Sequence, residues 1–218
     1  AGLSPLAAFT IFQGIASEHA EAIGVGGAAM AKRGEFWLTV HSRVDFYEPA
    51  YLMDALMAQT WPERCEGRYR LTHGEKTVAL GRTQWAILGP EGKILRFEQS
   101  GFPADFPFRP GAAIDEPPTR FHDDLTQDEL VYPHLVRATD IDMGRHMNNV
   151  VYIRLLLDCF SAKELASGMI RTIEAHYASP CLEGETLGVF CRREEGRCRM
   201  AVKHADGRPA VLAQVIFG

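Results

Sequence analysis

No stretch of this 218-residue chain holds the roughly 20 consecutive apolar residues that a membrane-spanning helix needs. A basic excess is missing too. The chain carries 23 Lys and Arg against 28 Asp and Glu, a net charge of -5, the wrong sign for a protein that tracks a phosphate backbone. Its five cysteines (Cys65, Cys159, Cys181, Cys191 and Cys198) are odd in number, scattered, and nowhere spaced as C-x-x-C. That argues against a disulfide framework and for a reducing, cytoplasmic compartment in which they serve as small apolar fillers. No His/Cys spacing suggests a metal site, and no cofactor is expected. The apolar stretch 3–15 lacks the basic leader and cleavage site of a signal peptide, and there is no initiator Met.

What is present is ordinary for a globular protein: 46% hydrophobic, 23% charged and 10% aromatic residues. The length suits one large domain or two of roughly 100 residues each. Residues 3–23 repeat apolar side chains at helical spacing, entered through Ser4 and Pro5, an N-cap followed by a proline at the first helical position. Gly24, Gly26 and Gly27 are expected to stop that helix. Because they follow a helix, they do not read as a phosphate loop. Segments 35–45, 54–63, 69–73 and 77–88 read as strands, rich in Val, Thr, Trp and Tyr and separated by glycine-bearing turns. The order then recurs. A strand-like run at 130–138 leads to a helix of about 16 residues from Val150, and strands follow at 170–177, 186–192, 197–204 and 210–217.

Local matches support a duplication. Glu66-Gly67-Arg68 mirrors Glu195-Gly196-Arg197, Glu48-Pro49 mirrors Ser179-Pro180, and Ser4 falls where His146 stands in the second copy. Between the copies, residues 101–129 carry Pro103, Pro107, Pro110, Pro117 and Pro118, so they read as a linker. The expectation is α+β: an N-terminal unit over 1–100, the linker over 101–129, and a C-terminal unit over 130–218. Each unit is one long apolar helix against an antiparallel sheet. The first unit lacks the leading strand that 130–138 supplies to the second, so residues are expected to precede Ala1.

The densest chemistry lies between strand and helix in the second unit, where Asp142, Gly144, His146, Asn148 and Asn149 crowd into eight residues. A carboxylate and an imidazole beside a helix N-terminus can activate water, and backbone N–H groups there can hold a developing oxyanion. For a thioester, Asp142 would deprotonate water or attack the carbonyl itself. His146 would orient the acid or protonate the leaving thiolate. Gly144, Asn148 and Asn149 would supply the substrate and oxyanion contacts. Each residue also has a plainer explanation: Asp142 as a turn or cap residue, Asn148 and Asn149 as a cap and a buried hydrogen-bonder, Tyr152 as helix packing whose hydroxyl reaches a strand, and Glu18 and His19 as a polar helix face.

Asp142-Met143-Gly144-Arg145-His146-Met147-Asn148-Asn149, with Tyr152 and Ile153, resembles the fingerprint of the acyl-ACP thioesterases, which reads Asp-Met-Asn-x-His-Val-Asn-Asn-x-x-Tyr-Ile. Glu66-Gly67-Arg68 and Gly81-Arg82-Thr83-Gln84-Trp85 resemble strands of that family's first unit. The resemblance implies a tandem (double) hotdog fold with one active site, in the C-terminal unit, and an acyl pocket contributed by the first. It implies a substrate whose thioester arrives on phosphopantetheine, carried by acyl carrier protein or CoA. Two family positions differ: Gly144 replaces an asparagine, and Pro180 stands where a glutamate is expected before Cys181. The Asp-x-Gly arrangement looks more like single-hotdog acyl-CoA thioesterases, where a carboxylate works beside backbone N–H groups. An acidic carrier would need a basic patch, for which Arg192, Arg193, Arg197, Arg199 and Lys203 are candidates. Two alternatives stay open: a hotdog hydratase or dehydratase, and a non-catalytic acyl-thioester binding module. Neither nucleic acid nor membrane is an expected partner, and a homodimer is compatible with the chain.

Overall fold

The computed structural model describes residues 2–63, 66–108 and 111–218, so Cys65 and Pro110 lie outside the described residues. Helix α1 (Pro5–Ala22) begins as expected: Ser4 Oγ accepts the Ala7 N–H at 3.2 Å, and Pro5 occupies the first helical position. It ends at Ile23 and Gly24, the latter with φ at 78°. Gly27 does not stop a helix, contrary to expectation. It opens a short one, α2 (Gly27–Lys32), behind an extended Gly26. Strands β1 (Phe36–Phe46), β2 (Met57–Glu63), β3 (Glu66–His73) and β4 (Lys76–Leu88) follow. A two-residue β5 (Ile94–Leu95), too short to show any alternation in sequence, folds back on β4.

The second half contains β6 (Leu130–Leu135), α3 (Asn149–Leu157), α4 (Ala162–Ala166), β7 (Ile170–Tyr177), β8 (Thr186–Glu194), β9 (Arg197–Lys203) and β10 (Pro209–Phe217). β6 ends early because 138–140 tighten into a 3-10 turn. The expected 16-residue helix is two shorter ones. Ser161 and Glu164 form a capping box that starts α4 afresh, so the local cap wins over helix continuation.

All strands join one antiparallel sheet in the order β2-β3-β4-β1-β7-β10-β9-β8-β6, with β5 beside β4. The order β2-β3-β4-β1 is repeated as β8-β9-β10-β7, and one apolar core, including Phe12, Tyr69, Ile153, Leu156, Ile173 and Val215, runs through both halves. The fold is α+β, a tandem hotdog in which each half-sheet wraps a central helix. Gly81 brings α1 close to its sheet: a Cβ there would lie 2.8 Å from the Phe12 ring, which stacks on Tyr69 at 5.0 Å. Gln13, Ala16, Ser17 and Ala20 on the same helix line a large cavity.

Backbone pairing corrects one detail of the duplication. Leu3 N–H donates to Ala50 O, and Met147 N–H donates to Cys181 O in the same way, each one residue before its helix cap. Ser4 therefore matches Asn148, and Gly2 matches His146. Matching on residue type alone is off by two positions.

The halves meet where β1 pairs with β7, Arg43 directly opposite Glu174. Val44, Ile173 and Ala175 face the core, so His41, Arg43, Asp45, Thr172 and Glu174 share the opposite face. That face is covered rather than wet. The linker lies across it: Arg82 Nη1 donates to Glu116 O at 2.6 Å, Lys203 Nζ donates to Leu125 O at 2.7 Å, and Phe121 and Leu125 pack with Phe190, Ala201 and Leu212. Glu174, fully buried, accepts from Thr119 N (3.0 Å), Thr119 Oγ1 (2.6 Å) and Gln214 Nε2 (2.9 Å). His41 Nε2 lies 2.9 Å from Glu174 Oε1, though neither ring nitrogen is aligned well enough for a hydrogen bond. Burial pushes the Glu174 carboxyl up, but His41, Thr119 and Gln214 together outweigh it and hold it at about 2.

A carboxyl whose folded pKa lies below its unfolded value, about 4.3, stabilises fully above the unfolded value and loses that contribution as pH falls toward the folded one. Glu174→Gln is expected to melt lower than wild type near neutral pH and to lose less on acidification to about pH 3. Parallel melting-temperature profiles for the two proteins would show that this carboxylate does not carry the acid sensitivity.

Candidate active site

The acid and the histidine sit on a closed loop between β6 and α3. Ile141 bridges Met147, Asp142 N–H donates to His146 O at 3.1 Å, and Arg145 N–H donates to Asp142 O at 3.0 Å. The loop is anchored by Asp140, a buried acid that the sequence did not distinguish from its neighbours. Its carbonyl accepts the Asn148 N–H. One carboxylate oxygen takes the Arg137 N–H and lies 2.9 Å from His134 Nε2, and the other accepts from Arg154 Nη2 on α3 at 2.8 Å. Burial raises the Asp140 pKa, but the Arg137 amide and His134 outweigh it, so the carboxyl is held below its ordinary value. Asp140 is thus a fixed charge that pins the loop to the helix.

Asp142, two residues on, is exposed. Its Oδ1 accepts the Gly144 N–H at 2.7 Å and its Oδ2 faces Asn148 Nδ2 at 3.4 Å. It is therefore a turn residue as well as an accessible carboxylate. The His146 ring, half-buried, makes no hydrogen bond among the described residues. Gly144 does not provide the free N–H donor that the sequence suggested, because that amide is committed to Asp142. What it provides is room: a Cβ at 144 would stand 3.0 Å from Asp142 Oδ1 and 3.6 Å from His146 Nδ1, filling the space between acid and imidazole.

The asparagines are committed as well. Asn148 Oδ1 caps α3 by accepting the Val150 N–H at 2.8 Å. Asn149 Nδ2 donates to Thr39 Oγ1 on β1 at 2.6 Å, tying the helix start to the first unit, as the hydrogen-bonder reading expects. Tyr152 is buried, its hydroxyl accepting the Cys181 N–H.

Asp142, Gly144, His146, Asn148 and Asn149 all line one cavity of about 590 Å3. Its apolar walls come from the first unit, with Ala16, Ala20, Ile23, Val25 and Met30 on the helical side and Trp37, Trp85 and Leu88 on the sheet. His19, half-buried, lies in this wall too, its ring near Phe106. Sequence reasoning missed Gln13. It lines the large cavity and also a small one of about 30 Å3 shared with Thr39, Ser42, Asn149 and Tyr177, and its amide has no hydrogen-bond partner among the described residues. The available signal was a lone amide on the Ala16–Ala20 face of a helix. Nothing in the sequence said that this face meets the second unit.

Residues 124–215, the stretch that holds this loop, match the acyl-ACP thioesterase C-terminal domain. That stretch, under half of the chain, is similar to the acyl-ACP thioesterase family. No curated protein matches the chain in sequence. An acyl-ACP thioesterase from Bacteroides thetaiotaomicron superposes with a TM-score of 0.84 at 23% identity, covering 100% of this chain and 90% of its own. The 12:0-ACP thioesterase from Umbellularia californica gives 0.82 at 16% identity, with the same coverage. A MaoC-like dehydratase from Phytophthora capsici is more distant, at 0.53 and 12% identity over 84% of this chain and 72% of its own. At these identities the likenesses speak to the fold.

The structure changes two further expectations. The basic strand residues are not an open patch: Arg192 pairs with Glu129 and Asp124, Arg193 with Glu164, Arg197 with Glu194, Arg199 with Asp124, and Lys203 with Asp123. Cys181, read as an apolar filler, is buried and its thiol is pushed up to about 11 by burial, yet it has polar company. Cys181, Glu185 and His204 bring a thiol, a carboxylate and an imidazole within 4.8 Å of one another, a grouping from two segments, the loop after β7 and the end of β9, that chain spacing could not reveal. Both His204 nitrogens are already engaged, with Glu185 at 2.7 Å and Ser179 at 2.9 Å, so a metal would have to displace one of these contacts. We read the group as a clamp behind the loop, because the Cys181 carbonyl holds Met147.

Gly144→Ala is expected to lower catalytic efficiency by about 10-fold or more, since a misplacement near 1 Å can cost about 100-fold, with little change in melting temperature. A variant as active as wild type would show that the space between Asp142 and His146 is not used.

Proposed function

We propose that the chain hydrolyses fatty acyl thioesters, carried by ACP or by CoA, to free fatty acid and thiol, and that it does so in the cytoplasm. The observation that carries this reading is the convergence of Asp142 and His146 across Gly144, on the wall of a cavity whose apolar lining comes from the other unit. The acyl chain lies among Ala16, Ala20, Val25, Met30 and Trp37. The thioester carbonyl sits at the loop beside the N-terminus of α3, whose positive end favours a developing negative oxygen.

In the step itself, Asp142 takes a proton from water as the water oxygen bonds to the carbonyl carbon. The tetrahedral species then collapses, the carbon–sulfur bond breaks, and His146 delivers a proton to the departing thiolate. The Asn148 carboxamide, 3.4 Å from Asp142, supplies the polar contact that the family's missing asparagine would have given at 144. Gln13, with its uncommitted amide, serves as a donor toward the reacting carbonyl from the first unit. Cavity-lining Asp142 and Gln13 thus come from opposite halves of the chain.

Thiol release from acyl thioesters of several chain lengths tests the reading, with Asp142→Ala expected to lose nearly all turnover. Release unchanged in that variant would remove Asp142 from the chemistry. Hydration of an enoyl thioester without thiol release would favour the hydratase alternative, and tight binding with no turnover would favour the binding module. Gln13→Ala is expected to lower kcat by up to about 100-fold, the usual scale for one oxyanion donor, while leaving KM nearly unchanged. An effect confined to KM would make Gln13 a cavity-lining residue only.

A further inference from the structure

Arg145 lies between Gly144 and His146, both of which line the cavity, yet its own side chain is not part of the wall. It is exposed, on the outer rim of the same loop. Its φ is 62°, in the left-handed region that glycine and asparagine adopt readily and an arginine only at a cost. The turn closed by the Arg145 N–H to the Asp142 carbonyl imposes that conformation. A glycine here would be cheaper for folding, so the backbone gives no reason for an arginine. Nor do the neighbours: the guanidinium forms no hydrogen bond or ion pair among the described residues. Arg154, Arg192, Arg193, Arg197 and Arg199 all do. A strained, solvent-facing cation beside the acid and the imidazole is left without an intramolecular role.

We infer that Arg145 binds the phosphate on the thiol-bearing arm of the substrate. This deepens the thioesterase reading and rests on it. With the acyl chain inside the cavity and the carbonyl at Asp142, the thiol side has to leave through the mouth, past the 142–146 loop. The portion of a phosphopantetheine thioester outside the cavity is polar and ends in an anion. A guanidinium is suited to that anion because it stays charged and offers several donors in a fixed plane. The same loop then divides its work: Asp142 and His146 face inward to the carbonyl, and Arg145 faces outward to the arm.

The test uses Arg145→Gly and Arg145→Asn, two residues that tolerate the local backbone. Binding of two non-hydrolysable probes, an S-alkyl 4′-phosphopantetheine and the same S-alkyl pantetheine without phosphate, is measured by calorimetry. Turnover of the corresponding acyl thioesters is measured beside it. Wild type should prefer the phosphorylated probe, and both variants should lose about 10- to 100-fold on it. Both should keep wild-type affinity for the unphosphorylated probe and melt at or above the wild-type temperature. Equal loss on the two probes overturns the assignment by placing Arg145 on the arm's amides or the reacting centre. No loss on either probe overturns it outright. Because binding is read separately from turnover, a wild type that binds the phosphorylated probe through Arg145 but releases no thiol would sink hydrolysis and keep the anion site.

Discussion

The β1–β7 pairing is the constraint on which the rest of the molecule depends. It fuses two half-sheets into one, and at its centre the sequence places Arg43 opposite Glu174, a buried carboxylate on a covered face. An unpaired charge there would be strongly destabilising. It is tolerated because Thr119 and Gln214 donate to it and because His41 lies against it. Thr119 belongs to the linker, so the segment joining the units in sequence also closes the seam between them in space. Without that seam, the first-unit cavity and the second-unit loop would not share a wall.

The two copies have diverged around this frame. Each keeps a capped central helix, and each seats the residue before its cap on the carbonyl of the segment after the equivalent strand, Leu3 on Ala50 and Met147 on Cys181. The first copy has Gly2 where the second has His146. Its helix instead carries small residues, Ala16 and Ala20, that leave a cavity open. Under the proposed reading one copy gave up chemistry for volume and the other kept the chemistry. Two aspartates two residues apart mark a similar division in the second copy. Asp140, buried and held by Arg154, fixes position, while Asp142, exposed and lightly held, is left able to react.

Much of this was legible in the sequence because it is local. The Ser4–Pro5 start, the alternation of the long strands, the duplication and the crowded loop are all written within a few residues of one another. What was not legible is non-local or depends on caps competing with propensity. Ser161 splits the long apolar helix because a capping box outweighs continuation. Gln13 enters the site only because β1 and β7 pair. The arginines read as a basic patch are neutralised by acids distant in sequence, Asp124 and Glu129 among them. The residues of the 142–149 loop could be named in advance, but their roles moved: Asn149 bonds to the other unit, and the Gly144 N–H is spent on Asp142.

Gly144 shows what the departure from the family pattern means physically. An asparagine at this position would put a side chain into the space between Asp142 and His146, where even a Cβ stands 3.0 Å from the carboxylate. In this chain the carboxamide reaching Asp142 comes instead from Asn148, which also caps the helix. One residue thereby orients the acid and fixes the helix terminus beside it. The loop's geometry is then set by helix capping, with Asp140 beneath and Cys181 behind. Room at Gly144 is compatible with a water, or the substrate itself, standing where the family's side chain would be. Under the proposed reading, the carboxamide that holds Asp142 is the one at Asn148, and the acid's role does not depend on a side chain at 144.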